Sequence, residues 1–271
     1  MTDTITLRSQ DWTALEQAFA QAAANMVRGQ DEIVVTAPRP APAPAAPPVT
    51  ETEDASFAFR DYGAFYDWLR GNDMLGPKIT AGEFEGCDRI IKACAKQGWG
   101  ISWVAYALAT TYHEVNGTMQ PIKEIGGPAY FTRMYDIRGA RPAKARELGN
   151  LTPGDGAKFA GRGYVQLTGL TNYRRATKKL REMGFDVDLV AQPERAMEPA
   201  IAAAILVAGM REGWFTGRDI DDDLPASGPA RLAQFVASRD IINGRDRQDL
   251  IAEYAMDFQT ALLESGYRPP A

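Results

Sequence analysis

The chain has 271 residues, 45% of them hydrophobic and 24% charged, a composition that suits one generous globular domain or two small ones. No run approaches the ~20 apolar residues that a membrane helix needs, and a single histidine excludes a histidine-rich zinc site. The net charge of −5 lies wholly in residues 1–56, where eight acidic residues face three arginines. The neutral remainder lacks the positive field on which general nucleic-acid binding relies.

The opening Met-Thr-Asp-Thr-Ile-Thr-Leu-Arg has no basic stretch followed by an apolar one, so no secretory signal is expected. Within an N-terminal arm of residues 1–36, the 3,4,3,4 spacing of Trp12, Leu15, Phe19, Ala22 and Met26 predicts one amphipathic helix over 11–27. A lone helix of this length is marginal in water. It is expected to dock on its own domain, on a second copy or on a membrane surface. Residues 37–49 alternate proline and alanine, an extended spacer that continues into the acidic stretch up to residue 56.

Residues 57–271 read as mostly helical. Ala64–Leu69 is a short amphipathic piece. Thr80-Ala81-Gly82-Glu83 is a capping-box pattern that starts a helix running to about Gln97. Cys87 and Cys94 lie on it two turns apart, roughly 10 Å at 1.5 Å per residue, too far for a disulfide. The next helix starts at Ser102, with Ile101, Val104, Ala105, Leu108 and Tyr112 on its core side, and ends at Glu114 before Asn116-Gly117. Tyr164–Thr168 alternates between glycines and predicts one strand of a small hairpin. Thr171–Met183 is a helix with a run of basic residues. Glu198–Gly213 is an alanine-rich apolar helix expected at the buried centre, and 231–236 and 246–263 supply the last helices.

Two stretches carry chemistry. Glu114 sits at a helix end beside the small residues Ala107 and Thr110, with room for a ligand in front of it. Taken alone, a glutamate there is an ordinary solvated charge. His113-Glu114-Val115-Asn116-Gly117 also departs from the H-E-x-x-H zinc pattern at its last position. The second stretch is Gly161-Arg162-Gly163-Tyr164-Val165-Gln166-Leu167-Thr168-Gly169-Leu170-Thr171-Asn172-Tyr173. Its glycines allow a close approach to a sugar ring, Gln166 and Thr168 share one strand face, and Asn172 and Tyr173 add an amide and a ring. Asp219, Asp221, Asp222 and Asp223 lack the spacing and glycine of a calcium loop and read as a solvated segment.

The segment 105–114, ending in Thr-Tyr-His-Glu, and the glycine-bracketed stretch together resemble glycoside hydrolase family 19. That family holds plant-type chitinases and phage endolysins on a lysozyme-like helical fold. Gln192-Pro193-Glu194 before the apolar helix and Ile241-Ile242-Asn243-Gly244 agree with it, so the resemblance spans roughly Phe57 to Gly266. It implies a mainly α, lysozyme-like domain with a small hairpin. It also implies inverting hydrolysis of a β-1,4 bond next to an N-acetyl sugar, with no cofactor and no metal. Glu114 matches the proton donor and Thr168 the hydroxyl that holds the attacking water. His113, Gln166, Asn172, Tyr173 and Asn243 fall in the substrate-binding set, with Arg162 and Tyr164 as its supports. The second carboxylate is expected ~6.5–9.5 Å from the first. Glu124 is the candidate, with Asp136, Glu147 and Asp155 as alternatives. Plant chitinases place this group farther along, in a disulfide-bearing insertion that this sequence lacks, so the phage branch is the nearer match.

The expected function is therefore an endolysin acting on peptidoglycan, made in a bacterial host's cytoplasm and reaching the wall after release. The alternatives are a chitinase and a non-catalytic wall-binding virion protein. Expected partners are the peptidoglycan substrate and, through the N-terminal helix, a second copy or a surface. Neither nucleic acid nor an integral membrane segment is expected.

Overall fold

A computed structural model describes residues 54–242, 244 and 246–270. The predicted N-terminal arm and helix, and the linker up to residue 53, lie outside the described residues, as does Asn243.

Asp61 caps helix α1 (Tyr62–Gly71) by accepting the Ala64 amide at 3.0 Å. Helix α2 (Ala81–Ala95) opens on the predicted capping box. The Thr80 hydroxyl accepts the Glu83 N–H, and the Glu83 carboxylate accepts the Thr80 N–H. Gly98, at φ 68°, turns the chain into α3 (Ile101–Glu114). Strand β1 (Ile122–Lys123) follows. Helices α4 (Pro128–Tyr135) and α5 (Pro142–Glu147) both carry proline in the first turn, where its missing N–H costs nothing. The short α6 (Asp155–Lys158) leads to β2 (Arg162–Gly163). The rest comprises α7 (Leu170–Glu182), α8 (Pro199–Arg211), α9 (Leu232–Ser238) and α10 (Gln248–Glu264). The expected mainly α class with a minor β ribbon holds. Among the described residues no helix is long and apolar enough to cross a membrane.

Two helices form the centre. Every residue from Ser102 to Thr111 of α3 is buried, and so is every residue from Ile201 to Met210 of α8. Between Ile101 and Tyr112 the sequence has no charged residue. A helix apolar all round must be covered all round. This corrects the expectation that only α8 is central and that α3 buries a single face. Helix α3 packs along α10 and on α2, and α8 packs on α2 and α7. The Tyr106 hydroxyl ties α3 to the end of α9 by donating to the Ser238 carbonyl at 2.6 Å. Cys87 and Cys94 are free, buried thiols, and burial pushes both well above the ordinary thiol range.

The ribbon differs from the predicted hairpin. Ile122 pairs with Gly163 and Lys123 with Arg162, antiparallel. Residues 164–166 form a tight turn, closed by reciprocal bonds between Arg162 and Leu167 (3.3 and 2.8 Å). Left-handed backbone at Gly163 (φ 88°) and Gln166 (φ 53°) breaks the alternation a strand requires, and Tyr164 and Val165 are both buried.

Candidate active site

Glu124 directly follows β1, and its amide donates to the Gly161 carbonyl at 2.8 Å. Its carboxylate is held at both oxygens. Oε1 accepts the Tyr135 hydroxyl at 2.7 Å, and Oε2 accepts the Gly161 N–H at 3.2 Å. Burial and the facing Glu124 charge push the Tyr135 phenol well above its ordinary range, so it remains a donor.

Three polar oxygens converge beside Gly161. A Cβ placed there would lie 2.9 Å from Gln166 Oε1, 3.1 Å from Glu124 Oε2 and 3.2 Å from Thr168 Oγ1. Both Gln166 amide hydrogens are engaged, by the carbonyls of Ile122 (3.2 Å) and Gly163 (3.0 Å), which fixes the direction of Oε1. Thr168 donates its hydroxyl proton to the Gln166 carbonyl at 2.8 Å, leaving its oxygen as an acceptor. Asn172 Nδ2 in turn donates to the Thr168 carbonyl at 2.9 Å. A left-handed non-glycine residue costs about 1–3 kcal/mol, and here the strained Gln166 is one of the three groups that meet at Gly161.

Arg162 and Tyr164 act as the expected supports, whereas Tyr173 plays another part than the expected one. All three are buried. Arg162 Nη1 donates to the carbonyls of Lys158 and Ala160 and to the Tyr173 hydroxyl, each at 2.9–3.0 Å. Tyr173 also donates to the Ala160 carbonyl. These groups brace the ribbon from behind. Tyr173 presents no open ring for stacking, which corrects its place among sugar contacts, and Tyr164 is likewise a support.

Glu114 lies at the last residue of α3 with its side chain 16% exposed. Besides the small residues expected on its helix face, a buried arginine meets it. Arg239, 1% exposed, donates from Nη1 to Glu114 Oε1 at 3.0 Å, and its Nε is anchored on the Asp246 carbonyl at 2.9 Å. An arginine fork of this kind fixes both position and charge. His113 is half-buried beside it. Burial lowers the imidazole below its usual range, the Glu114 charge works against this, and Arg239 and Arg247 reinforce it. The ring is therefore neutral at neutral pH.

The segment between the two glutamates is pinned to α2. Gln120 Nε2 donates to the Gly82 carbonyl, and the Met119 carbonyl approaches Gly86 so closely that a Cβ there would fall 1.8 Å from its oxygen. Glycines four residues apart on α2 thus seat the connector, a feature the sequence reading missed.

The alternative carboxylates have other work. Asp136 is buried and accepts the amides of Arg138 (3.0 Å), Gly154 (2.7 Å) and Gly156 (3.3 Å). Burial would raise this carboxyl, but the three N–H donors outweigh it and hold it below its usual range. Glu147 is exposed and pairs with Lys144. Asp155 accepts the Thr152 amide in the first turn of α6. In the acidic segment, Asp221 pairs with Arg211, and Asp222 and Asp223 pair with Arg218. Among the described residues no group of acidic, histidine or cysteine side chains could hold a metal ion.

No protein-family model and no curated protein matches the chain. Among solved structures, chitinase C from Streptomyces griseus HUT6037 aligns at 17% identity with a TM-score of 0.41, covering 80% of this chain and 93% of that one. A mutant of chitinase C aligns at 19% identity, the same TM-score and the same coverage.

Proposed function

We propose that this chain is a family 19-like glycoside hydrolase, an endolysin that hydrolyses the β-1,4 backbone of bacterial peptidoglycan with inversion at the anomeric carbon. The observation that carries the reading is the convergence of Glu124 Oε2, Thr168 Oγ1 and Gln166 Oε1 beside Gly161. With its own proton committed to the Gln166 carbonyl, Thr168 can only accept there. A water held between these oxygens would donate one hydrogen to Thr168 and the other to Glu124, leaving a lone pair for the sugar. As the new C–O bond forms, the second proton passes to Glu124, whose charge the Tyr135 hydroxyl and Gly161 amide support until then.

In this reading Glu114 lies on the other wall of the cleft and protonates the leaving glycosidic oxygen. Arg239 occupies Oε1, so the proton is carried on Oε2. Once it has left, Arg239 stabilises the carboxylate that forms, a contribution that grows along the reaction coordinate. His113 and Asn172 contact the sugars, as does Asn243.

The muramidase specificity, the endolysin role and the route from host cytoplasm to wall rest on the sequence: the phage-like spacing of its motifs and its unpaired cysteines. The reading is tested by reducing-end release from purified sacculi and from chitin oligomers, using wild type and Glu114→Gln. Release from sacculi that falls at least a thousandfold in the variant is expected. Preferential release from chitin would make the protein a chitinase, and sacculus binding without release would make it a wall-binding protein.

A further inference from the structure

Beside the ribbon lies an open depression of about 680 Å³, lined by Lys123, Lys158, Arg162, Gln192, Glu194 and Arg195 among others. Lys123 and Arg162 are paired residues of β1 and β2. Glu124 and Gly161 adjoin that pair in the chain and are bonded through the Glu124 amide and the Gly161 carbonyl. The depression and the Glu124–Thr168 cluster therefore both border the ribbon.

Its charge is one-sided. Four basic side chains line it against one carboxylate, Glu194. Arg195 is committed to Glu198 at 2.7 Å. Lys123 and Lys158 pair with no acidic side chain among the described residues, and their ammonium groups lie over the rings of Phe131 and Phe159, 5.8 and 5.1 Å from the centroids. Arg162 forms the floor. It is 2% exposed, yet its Nε–H has no acceptor. A buried donor without a partner is costly, which marks a place where an acceptor is wanted. The one anion Arg162 already meets is a carboxylate, that of Glu194 at 3.1 Å, whose side chain is 66% exposed and able to swing away.

We infer that this depression is a subsite for a ligand carboxylate, supplied by the peptide stem of a peptidoglycan strand lying in the cleft. The inference rests on the glycosidase reading for its substrate but not for its chemistry. A volume of this size suits a short peptide, and a chitin chain, being neutral, has nothing to place there. Lys123 and Lys158 make the direct contacts, and Arg162 adds its fixed charge from below.

The test is calorimetric titration of the full chain with a soluble stem tripeptide, Ala-γ-Glu-diaminopimelate, and with the same peptide amidated at its carboxylates. The double variant Lys123→Gln/Lys158→Gln replaces two exposed side chains and is expected to fold normally, checked by its melting temperature. Wild type should bind the free peptide at least tenfold more tightly than the amidated one, and the double variant should lose that tenfold preference. No binding by wild type, equal binding of both peptides, or unchanged binding by the variant would overturn the subsite. Competition by inorganic phosphate at concentrations comparable to the peptide would overturn the assignment to carboxylate. If wild type binds the peptide but releases no reducing ends from sacculi, the glycosidase reading fails while the subsite stands.

Discussion

Replacing Gly161 by alanine adds one methyl group against the three oxygens between which the proposed mechanism holds its water. The backbone there does not require glycine for conformational reasons, since its φ is not positive. The effect is therefore one of space. The new carbon would lie 2.9–3.2 Å from Gln166 Oε1, Glu124 Oε2 and Thr168 Oγ1, tighter than an ordinary carbon–oxygen contact, so these oxygens must move apart and lose their hold on the water. All three are side-chain atoms and can yield by a few tenths of an ångström, so the cost in stability is about 1–2 kcal/mol. For a domain of this size that lowers the melting temperature by roughly 2–8 °C. Catalysis should suffer more, because a displaced water removes the general-base step, worth about 10²–10⁴ in rate. Reducing-end release measured at 25 °C, well below the transition, separates the two effects. A Gly161→Ala enzyme that is folded yet at least a hundredfold slower, with substrate affinity near wild type, is expected. A folded variant with more than a third of wild-type kcat would refute the assignment of these three oxygens to the attacking water.

Tyr135→Phe deletes the hydroxyl that donates to Glu124 Oε1 and is expected to lower kcat about tenfold, equivalent to ~1.4 kcal/mol, with little change in KM. Arg239→Lys keeps a charge near Glu114 but cannot also reach the Asp246 carbonyl, so kcat should fall by about 10–100-fold while the variant still binds sacculi in a sedimentation assay. Asp136→Asn leaves one side-chain oxygen where three amides converge and should cost about 2–3 kcal/mol in urea unfolding. Because the folded structure holds the Asp136 carboxyl below its ordinary value of 3.8, its contribution is complete above that pH and is lost as pH falls through the lower folded value. The wild-type and Asp136→Asn stability curves should therefore converge on acidification.

Much of this was legible in the sequence where the signal is local. The capping box at Thr80 and Glu83, the helix ending at Glu114 and the nearness of Gln166 to Thr168 all depend on residues a few positions apart. Three things were hidden for physical reasons. Arg239 meets Glu114 across 125 residues of chain, and nothing local distinguishes it from a surface arginine. Helices α4 and α5 are too short for periodicity to show. Their signal was proline in the first turn, at Pro128 and Pro142, the latter preceded by a non-helical Arg141. The alternation of Tyr164–Thr168 read as a strand because alternation cannot reveal a left-handed glutamine. The turn still brings Gln166 and Thr168 together, though by folding back rather than by sharing a strand face. The ring of Tyr173 went the other way. Arg162 captures its hydroxyl, and the ring becomes part of the scaffold.

The central claim is that Glu114 and Glu124 together break a glycosidic bond in peptidoglycan. Mass spectrometry of muropeptides released from purified sacculi by wild type, Glu114→Gln and Glu124→Gln tests it most directly. The account predicts new reducing-end N-acetylmuramic acid from wild type and essentially none from either variant. Products with intact glycan and cleaved peptide bonds, or undiminished glycan cleavage by either variant, would contradict it.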